Sequence, residues 1–152
     1  MKFASCGDNF NLLIYDYKDI NIEEIKKYIK DLVCKLKKVY KKKISGFYNV
    51  NVFMNDKIGM ILDFSREDDF DFFRDVVDLN VIVNKDSEIY LKFSDIFLLD
   101  NFDNIYFWDN YFYVDVNSIS FKEFYYLLED SSFIYGRELD LLKKKFSLVV
   151  KN

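Results

Sequence analysis

The sequence predicts an α+β fold: an antiparallel β-sheet built of hairpins, one long N-terminal amphipathic helix and two C-terminal helices packed on it. Three observations carry this expectation. Apolar residues recur at helical spacing from residue 22 to about 41, the period falls to two with tight turns over most of about 46 to 116, and long helical signals precede and follow these strands instead of separating each pair. The mid-chain runs are too closely spaced for crossover helices, which disfavours a doubly wound parallel sheet.

The first strand is an apolar run from about Phe10 to Tyr15. Asn21 with Glu24 then has the pattern of a capping box, and Ile22, Ile25, Ile29, Leu32, Val33, Leu36 and Val39 share one face of a helix from Ile22 to about Lys41. Its other face is basic. Nine lysines between Ile22 and Lys43 stand against Glu23, Glu24 and Asp31, a formal charge of about +6. With the whole chain at −4, the remainder carries about −10.

After Gly46, Val50, Val52 and Met54 alternate with Asn49, Asn51 and Phe53, and Asn55-Asp56-Lys57 turns the chain into a second run, Ile58 to Phe64. Ser65-Arg66-Glu67-Asp68 reads as a helix cap with an acidic first turn, and Phe70, Phe73 and Val77 fall on one face of that short helix. Further strands are expected at Leu79 to Val83, Ile89 to Phe93, Ile96 to Leu99, Ile105 to Trp108 and Tyr111 to Val116, the last two joined at Asp109-Asn110. Ser120 and Glu123 form another capping box, opening a helix through about Leu128. A last helix, about Arg137 to Phe146, precedes a short closing strand at Leu148 to Val150.

At 152 residues the chain has the length of one domain, 1–152, and a content of 51% hydrophobic and 20% aromatic residues is far too apolar for disorder. His, Pro, Gln and Thr are absent while Lys, Asn, Ile, Phe, Tyr and Asp abound, the mark of an AT-rich coding sequence. Two cysteines, Cys6 and Cys34, cannot make a disulfide framework, and Cys34 on the long helix is expected to be partly buried. The opening Met-Lys-Phe-Ala-Ser-Cys lacks the apolar stretch that precedes a lipoprotein cleavage site, and no run reaches the length of a membrane span. A soluble, cytoplasmic protein with no membrane partner is expected.

Catalysis is disfavoured, because without histidine there is no imidazole base and no His-ligated metal. Neither G-x-G-x-x-G nor a P-loop occurs. Asp69-Phe70-Asp71 has the form of a metal-binding DxD element, yet on a helix positions i and i+2 diverge and no phosphate cradle accompanies them. No cofactor and no metal are expected.

Binding is favoured instead. From Asp63 to Asn110, thirteen Asp or Glu stand against four Lys or Arg, and Phe, Tyr and the only Trp are interleaved with them. Such a surface suits a basic protein, the charge steering the encounter and the rings anchoring it. Asp68, Asp69, Asp71 and Asp109 are the candidate acids, and Tyr106, Trp108, Tyr111 and Tyr113 the candidate anchors. The expected function is a non-catalytic inhibitor that covers the basic surface of a nuclease or another nucleic-acid-handling enzyme. Anti-defence (anti-CRISPR-like) and toxin-immunity proteins of phages and bacteria act in this manner. The alternative is a nucleic-acid-binding accessory protein using Lys35, Lys37, Lys38, Lys41, Lys42 and Lys43. The opposed charges of the helix and the acidic middle also permit head-to-tail self-association.

Overall fold

Alternating apolar and polar residues build two five-stranded sheets in the computed structural model, which describes residues 2–6, 9–14, 21–39, 41, 44–67, 77–95, 98 and 102–149. The chain divides into two compact units, Met1–Lys85 and Asp86–Asn152.

The first unit contains β1 (Lys2–Cys6), β2 (Asn9–Ile14), α1 (Ile22–Val39), β3 (Gly46–Asn55), β4 (Gly59–Arg66) and β5 (Val77–Asn84). Its sheet has the order β1-β2-β4-β3-β5. Three of the pairings are antiparallel, but β5 runs parallel to β3, with Val50 beside Val81 and Val52 beside Val83. That parallel edge departs from the wholly antiparallel sheet expected, because period two identifies a strand and leaves its direction open.

One face of this sheet is apolar. Phe10, Leu12 and Ile14 of β2 lie in register with Phe64, Leu62 and Met60 of β4, and Val50 and Val52 of β3 continue the rows. Against them α1 buries Ile25, Ile29, Val33 and Leu36, each contributing roughly 1.5–3 kcal/mol by leaving water. Asn21 caps the helix by accepting the Glu23 N–H at 3.3 Å. The helix closes two residues before the expected Lys41, which itself adopts a left-handed φ of 51°. Val39, expected on the apolar face, is exposed, as is Cys34, whose thiol was expected to be partly buried.

The opposite face of the sheet is a grid of amides. Asn80 donates to Asn49 at 3.0 Å, Asn49 donates to the Glu67 carboxylate, and Asn11 and Asn51 flank Asp63 across the strands. At the β3–β4 turn the Asn55 carboxamide accepts the N–H groups of Lys57 and Ile58 at 3.0 and 3.2 Å, so Ile58 belongs to the turn. Gly46 opens β3 at φ 103°, and a Cβ there would stand 3.1 Å from the Arg66 Nε.

Ser65 and Arg66 finish β4 and Val77 begins β5, which corrects the helix cap expected at Ser65. A local Ser-x-x-Asp pattern yields here to cross-strand pairing, Ser65 opposite Asn49 and Arg66 opposite Tyr48. Residues 68–76, including Phe70 and Phe73, lie outside the described residues.

The second unit contains β6 (Ile89–Phe93), β7 (Tyr106–Trp108), β8 (Tyr111–Asp115), a 3₁₀ turn (Val116–Ser118), α2 (Phe121–Leu128), β9 (Ser132–Tyr135), α3 (Gly136–Lys143) and β10 (Ser147–Leu148). Its sheet, of order β10-β7-β8-β6-β9, is antiparallel throughout. The capping box of α2 forms as the sequence indicates: the Ser120 hydroxyl accepts the Glu123 N–H at 3.1 Å, and the Glu123 carboxylate accepts the Ser120 N–H at 3.2 Å. Both C-terminal helices contact β6, burying Phe124, Leu127 and Leu139. They therefore belong to a different sheet from α1, where one shared sheet was expected. Of the strand expected at residues 96–99 only Leu98 is described, and its N–H donates to the Asp95 carbonyl at 3.2 Å in a 3₁₀ turn.

Candidate binding hairpin

Strands β7 and β8 are joined by two residues, Asp109 and Asn110, with φ of 49° and 66°. Successive left-handed residues at a two-residue connection are the signature of a type I′ turn, whose twist matches that of the strands. Asp and Asn tolerate this conformation better than most side chains, so the turn chemistry fixes the register. Tyr106 stands opposite Tyr113, Phe107 opposite Phe112 and Trp108 opposite Tyr111.

With alternate residues on opposite faces, Tyr106, Trp108, Tyr111 and Tyr113 share one side of the hairpin. Its base is covered. Phe146, just after α3, brings its ring centroid within 4.7 Å of Tyr113, 5.5 Å of Tyr106 and 5.9 Å of Tyr90. Tyr113 is buried as a result and supports the hairpin from within, while Tyr106 is half-buried.

The tip reaches past Phe146. Trp108 and Tyr111 are 39% and 40% exposed, Asp109 lies exposed between them, and Phe107 is 37% exposed on the other face. Lysines attend both rings: Lys92 Nζ sits 4.0 Å from the Tyr111 centroid, and Lys145 Nζ 5.5 Å from that of Trp108. Sequence reasoning missed Lys92, Lys145 and Phe146. The signal for Lys92 was its alternation with Tyr90, but only the pairing of Lys92 with Tyr113 shows which rings it meets.

Burial raises the hydroxyl pKa of Tyr113, with smaller contributions from Glu138, Asp109 and Tyr111. Burial likewise pushes Tyr90 up to about 12, helped by Asp115 and Tyr106. These phenols stay protonated near neutrality and serve as rings with a polar tip, not as proton carriers.

The other candidate residues are separate from this hairpin. Asp68, Asp69 and Asp71 lie outside the described residues, as do Lys42 and Lys43. Lys35 and Lys38 are exposed on α1 with Lys26, Lys27 and Lys30, Lys37 is half-buried, and Lys41 is exposed beyond the helix end. Exposed acids in the second unit include Asp86, Glu88, Asp95, Asp103 and Asp109, and Glu88 pairs with Lys143. Among the described residues no three His, Cys, Asp or Glu side chains converge as a metal site would need. No described helix is long and apolar enough to cross a membrane. Comparison with protein-family models, curated proteins and solved structures gave no match.

Proposed function

We propose that this protein is a non-catalytic inhibitor that binds another protein, covering the basic surface of a nuclease or other nucleic-acid-handling enzyme in the cytoplasm. One observation carries the reading: a type I′ hairpin displays Trp108 and Tyr111 side by side with Asp109 between them. Trp and Tyr held on a short turn lose little entropy on binding and dominate interface energies. Lys92 and Lys145 stand over these rings, and the charged contacts with a basic target fall to the exposed Asp109 and Asp103. Asp68, Asp69 and Asp71 belong to the same acidic stretch and extend the proposal to it.

The test is affinity capture from the source organism or its host, with nuclease treatment, comparing the wild type with Trp108→Ala/Tyr111→Ala and Asp109→Lys. A basic protein that survives nuclease treatment is expected, its affinity falling at least about 30-fold in the double variant, as loss of two anchors implies. Retention of the same protein by all three would sink the hairpin as the binding surface.

A second reading rests on the exposed lysines of α1: Lys35, Lys38 and Lys41, with Lys37, Lys42 and Lys43, would hold a nucleic-acid backbone. It requires that Lys35→Glu/Lys38→Glu/Lys41→Glu abolish retention of nucleic acid while Asp109→Lys leaves it intact.

A further inference from the structure

We infer that β5 is a pairing edge, and that its occupant is a second copy of this chain, with β5 antiparallel to β5 across a two-fold axis.

Strand β5 ends the first sheet, and its principal described neighbours are β3 and α1. The Leu79 N–H donates to the Asp78 carboxylate at 2.9 Å, so it points away from β3. Strand alternation then turns the N–H and C=O groups of Val77, Val81 and Val83 the same way. Proteins guard such edges with lysine, proline, bulges or short length. Strand β5 is eight residues long, whereas the other sheet edges, β1, β9 and β10, have five, four and two, and it contains no Lys, Pro or Gly.

Its side chains leave an incomplete core. Val77, Val81 and Val83 extend the apolar rows beneath α1 but are only partly buried, and Ile82 on the other face is 48% exposed. A second β5 completes both faces. With the axis at Val81, Leu79 meets Val83, Asn80 meets Ile82, and Asp78 meets Asn84. From Leu79 to Val83 every core-face pair is then apolar, Val77 falls opposite Lys85 just beyond the strand, and the only charged residue of the strand faces an amide instead of its own copy. An unrelated strand would have to supply this pattern; a second copy supplies it by symmetry, through an isologous contact that closes at two chains. The inference is independent of the inhibitor reading, whose hairpin belongs to the other unit, and it differs from head-to-tail association through α1.

Sedimentation of the full-length chain from about 1 to 100 μM tests it. The wild type is expected to be a dimer at the upper end. Val81→Pro removes an outward N–H without touching the β3 ladder. In Asn80→Lys/Ile82→Lys, two exposed positions place lysine opposite lysine. Each variant should weaken dimerisation at least about tenfold with the far-UV circular dichroism unchanged. A wild type that stays monomeric throughout, leaving the edge to some other strand, overturns the inference. So does a dimer that both variants retain.

Discussion

The two units assemble five strands each by different means. In the first, strands of up to ten residues supply long aliphatic rows, and one 18-residue helix seals them. In the second, strands of two to five residues are too short for such rows, and rings provide the bulk: Tyr90, Tyr106 and Tyr113 gather on Phe146, and Phe93 lies near Phe102 and Phe112. Rings are wide, so a short hairpin carries more apolar surface than Phe146 at its base can cover. Exposed Trp108, Tyr111 and Phe107 are that surplus. The hairpin tip is thus one of several incompletely buried apolar surfaces, Phe121, Tyr125 and Tyr126 of α2 being more exposed still.

The strongest way to break this contrast is to remove one ring from each core. Phe64 is fully buried, with Phe10 stacked 4.3 Å away, and Phe64→Ala should cost about 3–5 kcal/mol in urea unfolding. Phe146→Ala, at a half-buried ring, should cost less, about 2–3 kcal/mol. A larger loss at Phe146 would make the aromatic cluster, not the aliphatic rows, the principal source of stability.

A smaller change sharpens the view that the second unit relies on local devices. Ser120→Ala deletes the hydroxyl arm of the α2 capping box, leaving the Ser120 N–H to donate to Glu123, and should cost about 1 kcal/mol by the same measurement. A loss within error would mean that Phe124 and Leu127 hold the helix without its cap.

The smallest effect concerns the amide grid of the first unit. Burial raises the pKa of Asp63 above its ordinary 3.8, so the folded state takes up the proton more readily than the unfolded chain. Stability therefore falls as pH rises from that value through the folded pKa, and the penalty is complete above it. Asp63→Asn should raise the thermal midpoint near about pH 7 and lose its advantage in acid below the unfolded pKa, where both states of the wild type are protonated. An equal gain at both extremes would place the effect in packing instead of charge.

Those features legible in the sequence were local ones. Helix α1 followed from apolar spacing, the β3–β4 and β7–β8 hairpins from period two with Asn55-Asp56-Lys57 and Asp109-Asn110, and the start of α2 from Ser120 and Glu123. What escaped depends on partners distant in the chain. Strand β1 and the four-residue β9 carry too little pattern of their own, the direction of β5 is set by β3, and Ser65 resembles a cap until its pairing with Asn49 is known. The division between the units leaves no mark, since Asn84-Lys85-Asp86-Ser87 contains neither Gly nor Pro. Tyr106, Trp108, Tyr111 and Tyr113 were legible as candidate anchors, but Phe146, more than thirty residues downstream of the turn, determines that Tyr113 is buried while Trp108 stays partly exposed.

The placement of Trp108 has an optical consequence. It is the only indole in the chain, and it stands at the hairpin tip, partly in water. Native emission should accordingly peak at long wavelength and respond to acrylamide, and unfolding should shift it little. The same fluorophore would move to the blue as soon as another molecule closed over the tip, so the protein carries its own reporter of occupancy, silent toward the rest of the fold.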